Sequence, residues 1–455
     1  MKMWEGRFEG KNDPRMEAFQ SSLAFDKRMI AEDIEGNMAW ARALNKCGVL
    51  SKSETQKLTN ALKTLLQNKD RLKFTKSDED VHMAVERLLT EKLGSLGGKI
   101  HTGRSRNDQV AVDTRLYLKK QIAGLRTELK EFMSAVLSLA EKNRSVIMPA
   151  FTHLQMAQPV LFAHYLLSWF FMLDRDASRF CGCRMRMDIM PLGSGAVAGS
   201  GFPIDRKFLA RELNFSRPSD NSMDSVSDRD YIIEFLSAAS ITAMHLSRFA
   251  EDIILFNSPG YQYVELSDAY STGSSMMPNK KNPDSMELVR GKAGRIYGGL
   301  FTLLTVAKGL PLTYNKDLQE DKEALFDAID TLVALLGIFT GVIKTLKLRK
   351  DKIEASLSGD LLATDLADAL ARNGLPFRDA HKVVGLIVRE CQKSGRSLLS
   401  LTPAELKAYS PKFPANLKLS FKSSVESRSL YGGTGTASVN AQIKNAKKIL
   451  KTLKP

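Results

Sequence analysis

Cysteine is scarce, and four in 455 residues cannot build the disulfide framework of a small secreted scaffold. Cys181-Gly182-Cys183 also lacks the spacing of a zinc ribbon, so a reducing cytosol is the expected setting. Long hydrophobic runs are missing as well. The longest uncharged apolar stretches, 161–173 and 331–343, are each too short to span a bilayer. The first ten residues are charged, with neither an apolar core nor a small-residue cleavage site. These absences predict a soluble, cytoplasmic protein that uses no membrane. Acidic charge is outnumbered, 51 Asp and Glu against 66 Lys and Arg, for a net charge of +15. The basic residues are spread along the chain without a groove-reading motif, which argues against nucleic acid. The same field suits steering of a polyanionic small substrate. Aromatic residues make up only 8%, while Ala, Leu, Lys and Glu abound, a balance that favours helices.

A chain of this length has room for two or three compact regions. In the first, 1–103, helical stretches are broken by Gly6, Gly10, Gly36, Gly48, Gly94, Gly97 and Gly98. Beyond Asn107, residues Leu118, Ile122, Leu125, Leu129, Phe132, Val136 and Leu139 recur at alternating four- and three-residue steps, as in a seam between long helices. Four more long apolar-periodic segments follow, at 159–179, 229–257, 283–308 and 316–347. Proline opens the first and third of these, as suits a first helical position. The pattern predicts an all-α fold whose central helical bundle, 104–355, is flanked by two smaller, mostly helical domains at 1–103 and 356–455. Pro403, Pro411, Pro414 and Gly432-Gly433 punctuate the last region. Gly193-Ser194-Gly195-Ala196-Val197-Ala198 matches a relaxed dinucleotide fingerprint, but Gly199, Gly201 and Pro203 disfavour the helix that must follow it. A tight glycine turn is the better reading.

The connectors carry the unusual chemistry. Gly273-Ser274-Ser275-Met276-Met277-Pro278-Asn279-Lys280-Lys281-Asn282-Pro283-Asp284 joins a glycine-hinged hydroxyl loop to a lysine pair and then to a helix start, with Asn282 as N-cap and Pro283 as first helical residue. His101-Thr102-Gly103-Arg104-Ser105-Arg106-Asn107-Asp108-Gln109 sets arginine forks and helix N-terminal donors together, an arrangement suited to carboxylates. Phe151-Thr152-His153-Leu154-Gln155-Met156-Ala157-Gln158-Pro159 places a histidine, able to trade protons near neutrality, just ahead of a predicted helix. By composition alone each is equally a polar surface loop, and His153 a structural residue. His164 and His245 fall in apolar helical settings and read as structural.

Twelve residues in register from Gly273 to Asp284 resemble the signature loop of the fumarase, aspartase and argininosuccinate lyase superfamily. The Gly103-Arg104-Ser105-Arg106-Asn107-Asp108-Gln109 stretch is similar to a second signature, specific to the argininosuccinate lyases. His153 occupies the Thr-His position at which the superfamily keeps an active-site histidine. Ser22 and Asp26, His82, Arg229, and Tyr314, Gln319 and Lys322 resemble further substrate-site positions of that family. The resemblance runs from Trp4-Glu5-Gly6-Arg7-Phe8 to about Gly433. Departures are Glu5, where a small residue is usual, and Gly432-Gly433-Thr434-Gly435-Thr436 in place of Gly-Gly-Thr-Ala-Pro.

The resemblance implies elimination of argininosuccinate to L-arginine and fumarate in arginine biosynthesis, without metal or organic cofactor. It implies Ser274 as base, Lys280, Asn282 and the loop amides as stabilisers of the dianion, and His153, oriented by Glu287, as proton donor. Arg106, Asn107, Arg229 and Lys322 would hold carboxylates. Ser22, Asp26, Tyr314 and Gln319 would hold the amino-acid end, with His82, Ser105 and Thr152 beside the substrate. It further implies a homotetramer whose active sites each draw on three chains. Two alternatives share the fold: another fumarate-releasing lyase of the superfamily, or a structural protein of the lens delta-crystallin kind.

Overall fold

The five apolar-periodic segments fold as five long helices in a computed structural model that describes residues 12–453. The Trp4 to Phe8 motif, Gly6 and Gly10 lie outside the described residues. Two of the helices preceding the long ones, α2 and α3 below, begin where side chains satisfy their free amides. Ile30–Lys46 (α1) is followed by Lys52–Gln67 (α2), which opens on a reciprocal capping box between Ser51 and Glu54. Val81–Leu93 (α3) is capped by Asp80, whose carboxylate accepts from the Met83 amide at 2.7 Å. Gly36, read from the sequence as punctuation, instead lies inside α1. A Cβ there would stand 3.2 Å from Asp113 Oδ1, so close packing accounts for this glycine.

The long helices are Arg106–Lys142 (α4), Phe162–Arg186 (α5), Asp230–Asn257 (α6), Asp284–Ala307 (α7) and Asp321–Thr345 (α8). Shorter helices follow, among them Ala363–Arg372 (α9), Phe377–Ser394 (α10) and Thr436–Thr452 (α11). Both starts marked by proline differ from the expectation. Pro159 does not open α5: it lies in Gln155–Leu161 (β2), paired antiparallel with Ile147–Thr152 (β1) so that Pro159 faces Pro149. Neither proline can donate to a ladder, and an isolated pair of strands tolerates that. α7 starts one residue late, at Asp284, because the Pro283 carbonyl accepts the first helical bond from Glu287.

The described chain forms two compact units. The first comprises residues 12–125, Ser178–Ser240 and Gly294–Thr331; the second comprises Arg126–Ala177, Ile241–Ala293 and residues 332–453. In the first unit Trp40, Leu44, Leu58, Val85, Leu89, Val112, Leu116 and Leu209 share one buried cluster. In the second, Trp169 stacks on Phe249 with ring centroids 4.4 Å apart, and Phe339 packs against both Trp169 and Phe132. A further cluster there joins Leu366 and Leu370 of α9 to Val384 and Ile387 of α10.

The segment Lys316–Thr345, which ends in α8, holds an 18-residue window of mean hydropathy 1.8, long and apolar enough by composition to cross a membrane. It outlasts the uncharged run at 331–343, and 61% of the window is buried within the protein, as in a core helix. Trp169→Ala removes the largest ring from the aromatic cluster of the second unit and is expected to cost about 3–5 kcal/mol, read from denaturant unfolding.

Candidate active site

A cavity of about 360 Å³ opens in the first unit, lined by Ser22, Asp26, His82, Arg106, Asn107, Tyr314, Gln319 and Lys322 among others. All eight were singled out from the sequence, although they come from four separate stretches of it. Most of them are held by a local device. Ser22 Oγ donates to Asp26 Oδ2 at 2.6 Å, and the Val81 amide donates to Asp26 Oδ1 at 3.1 Å. Arg106, the first residue of α4, reaches Asp80 Oδ1 at 3.0 Å. Ser105 Oγ accepts from the Asn107 amide at 3.2 Å and so caps the start of α4. Gln319 Nε2 donates to the Gln20 carbonyl at 3.1 Å.

Lys322 Nζ donates to Asp321 Oδ1 at 2.7 Å, and Arg229 Nε donates to Oδ2 of the same carboxylate. Arg229 also gives NH1 to the Asp228 carbonyl at 2.9 Å, so in this chain its hydrogen bonds go to Asp321 and the backbone. Asp321 is buried, and it balances two buried cations. Thus Lys322 is held at the cavity by a carboxylate that Arg229 also supports.

Several lining residues had been given no site role from the sequence: Glu79, Asp80, Met83, His101, Val110 and Lys316. Lys316 Nζ lies 3.1 Å from Glu79 Oε1. Their available signal was proximity to His82, Asn107 and Tyr314 in the chain. The glycine turn at Gly193 to Gly195 also gains a role. Both amides donate to Asp108 Oδ2, at 2.8 and 2.9 Å, and so tie this turn to the first turn of α4. Gly193 and Gly195 have φ of 89° and 61°, as a tight turn requires.

The residues expected to move protons belong to the second unit. Thr152, His153, Leu154 and Gln155 form the β1–β2 hairpin tip, with φ of 55° at His153 and 58° at Leu154. Two positive φ values match a two-residue type I′ turn, which carries strain in residues other than glycine. His153 therefore stands exposed at a hairpin tip, ahead of the strand that leads to α5.

Ser274 lies in a loop pinned at its base: Thr272 and Asn282 exchange backbone bonds at 3.2 and 2.7 Å. Ser274 Oγ accepts from the Met276 and Met277 amides at 3.2 and 3.0 Å, donors that favour a negative oxygen. Asn282 Nδ2 donates to the Gly273 carbonyl at 3.4 Å. Lys281 pairs with Asp268 at 2.7 Å, whereas Lys280 is exposed and has no ion-pair partner among the described residues. Glu287 is exposed on α7, and no hydrogen bond joins it to His153 among the described residues. Of the histidines read as structural, His245 bonds buried Asp176 at 2.8 Å, while His164 lines a separate cavity of about 720 Å³ in the second unit with Gln442.

This helical architecture is that of the fumarase/aspartase superfamily. EDDS lyase in complex with formate superimposes with a TM-score of 0.81 at 25% identity, covering 98% of this chain and 91% of that one. Class II fumarase from Schistosoma mansoni does so at 0.74 and 18% identity, covering 85% and 89%. The family described as Lyase matches residues 6–298, and that described as Argininosuccinate lyase C-terminal matches 360–426. Argininosuccinate lyase of Carboxydothermus hydrogenoformans is 48% identical, over 99% of this chain and 100% of its own length. The Listeria innocua enzyme of the same name is 49% identical over the same shares. The chain belongs to the argininosuccinate lyase family.

Two histidines of the cavity respond to pH in opposite senses. Burial, then the charges of Arg104 and Arg106, depress His101 from 6.5 to about 4. Its neutral form stabilises the fold above pH 6.5, and that contribution is lost as pH falls towards 4. Burial opposes charge on His82, yet the carboxylates of Asp113 and Asp33 outweigh it and push the imidazole from 6.5 up to about 10. Its contribution is present below pH 6.5 and is lost as pH rises through about 10. Denaturation midpoints measured across pH should decline less steeply on the acid side in His101→Gln and on the alkaline side in His82→Gln.

Proposed function

We propose that this protein catalyses the reversible elimination of argininosuccinate to L-arginine and fumarate, as a carbon–nitrogen lyase of arginine biosynthesis in the cytoplasm. The observation that carries this reading is the cavity in which Ser22, Asp26, His82, Arg106, Asn107, Tyr314, Gln319 and Lys322 converge. Arg106 and Lys322 offer cations for carboxylates, and Asn107 adds neutral donors. Asp26 and Ser22, with Tyr314 and Gln319, suit the ammonium and carboxylate of the arginine end. Ser105 supports this wall as the cap of Asn107, Arg229 supports it through Asp321, and Thr152 presents His153.

Ser274 Oγ removes a proton from the methylene carbon beside a carboxylate. The electron pair spreads into that carboxylate as a dianion and then returns to form the carbon–carbon double bond. The bond to the guanidino nitrogen breaks, and the nitrogen keeps its pair and takes up a proton, for which His153, with Glu287 as its orienting carboxylate, is the donor. The Met276 and Met277 amides that point at Ser274 Oγ support its role as base. Lys280 and Asn282 would stabilise the dianion, in the manner of preorganised donors at an oxyanion.

Ser274, His153, Lys280, Asn282 and Glu287 lie in the second unit and the cavity in the first. A homotetramer would let several chains share each site. Leu288 (59% exposed), Phe301 (73%) and Leu304 (48%) present apolar area on α7, which association of copies would cover. Region 104–355 would supply that oligomerisation surface.

Ultraviolet absorbance of fumarate should rise when the protein meets argininosuccinate, and stay flat with adenylosuccinate or aspartate. A rise with one of the latter would favour a sister lyase; no rise with any would favour a structural role. Ser274→Ala should lower kcat by about 10²–10⁴-fold while substrate still binds, and near-normal turnover would remove Ser274 as the base. Sedimentation should report four chains; an active monomer would overturn site sharing.

A further inference from the structure

His82 lines the cavity yet is only 3% exposed, and what lies behind it is more unusual than the cavity itself. Its Nδ1 stands 2.7 Å from Asp33 Oδ1 on α1 and 3.3 Å from Asp113 Oδ2 on α4. Both carboxylates are buried, at 1% and 0% exposure. Asp33 is the better satisfied of the two: Gln109 Nε2 donates to Oδ1 at 2.6 Å and Asn37 Nδ2 to Oδ2 at 2.8 Å. Asn37 is held in turn by Arg104, whose NH2 reaches its Oδ1 at 2.7 Å. Asp113 has no well-formed hydrogen bond on either oxygen among the described residues. Burying two carboxylates against one imidazole costs far more than the fold would tolerate without a compensating charge.

We propose that Asp33 and Asp113, steadied by Gln109 and Asn37, are positioning residues that hold His82 as a fixed imidazolium whose outward nitrogen binds a carboxylate in the cavity. This rests on the reading of the cavity as a carboxylate site. Nδ1 is committed to the buried pair, so Nε2 is the nitrogen left for the cavity that His82 lines. The protons divide accordingly. Burial would raise Asp33, but His82 and Arg104 keep it below the usual carboxylate range, so it stays ionised. Burial, then the negative charge of Asp33, pushes Asp113 the other way, above the usual carboxylate range. The same three residues could in principle surround a cation. The 2.7 Å contact between Nδ1 and Asp33 Oδ1, an oxygen that also accepts from Gln109, has the geometry of a hydrogen bond from imidazole to carboxylate.

A cation fixed this way differs from an arginine on the cavity wall. It is short and rigid and cannot swing out with solvent, so it would select the position of a carboxylate as well as its charge. Other charged groups bear on it too, Asp80 at the cap of α3 and Asp26, while Arg104 and Arg106 act on Glu86 and on neutral His101 beside it. None of these contacts Nδ1, which meets Asp33 and Asp113.

Histidine-selective ¹⁵N NMR of the whole protein tests the relay without relying on turnover. His82→Gln assigns the signal among six histidines. The expected result is a doubly protonated His82 ring at pH 8.5, whose Nε2 proton shifts when fumarate is added. A neutral ring at pH 7 would overturn the proposal, as would a charged ring insensitive to saturating fumarate. Asp33→Asn should return His82 to titration near neutrality. It should also raise KM about 10- to 100-fold as pH climbs from 6 to 8, with kcat changed less. An unaltered KM and pH profile in a folded Asp33→Asn protein would likewise sink the idea. If argininosuccinate is not the substrate, the absorbance assay fails while the NMR result on His82 still stands.

Discussion

Charge buried in the first unit, and the need to neutralise it locally, is the constraint on which the site depends. Asp26, Asp33, Asp108, Asp113 and Asp321 are all nearly inaccessible, and so are Arg104, Arg229, Lys322 and His82. None of these could stay inside alone, because desolvation penalises an isolated ion by several kcal/mol. They survive as linked sets: Asp321 between Arg229 and Lys322, Asp33 between His82 and the Asn37–Arg104 pair, Asp108 against the Gly193 and Gly195 amides. Each set fixes a side chain that faces the cavity or the helix end beside it. A polar cavity with so rigid a wall loses little entropy when it takes up a small polyanion.

The loop that carries Ser274 follows a different logic. Its base is fastened by the Thr272–Asn282 pair, while residues 275–281 are exposed and make few bonds. The two amides converging on Ser274 Oγ come from within the loop, so the hydroxyl keeps its environment if the loop moves as a body. A rigid-walled cavity and a loop pinned only at its base thus belong to different units of the chain. His153, on a strained hairpin tip, belongs with the second.

The five long helices were legible because heptad-like apolar steps survive in the linear sequence, from Leu118 to Leu139 most plainly. Their number and rough limits follow from periodicity. Their starts did not always follow: Pro159 reads as a helix opener, and only its pairing opposite Pro149 makes it a strand residue. Gly36 reads as a breaker, and only the nearness of Asp113, far along the chain on α4, explains a glycine inside α1. The cavity-lining residues were legible through resemblance, since Ser22, Arg106 and Gln319 are anonymous polar residues in any window of a few positions.

What the sequence determined by itself was therefore local: helical periodicity, cap and turn chemistry, a hydroxyl loop beside lysines, and membership of a family through motifs in register. Tertiary structure alone decided which distant groups share a proton or a charge. Asp33 lies 49 positions from His82 along the chain, yet Nδ1 meets its oxygen at 2.7 Å. No period or motif encodes that distance, because it is set by how α1, α3 and α4 pack, and the charge state of the imidazole follows from that packing.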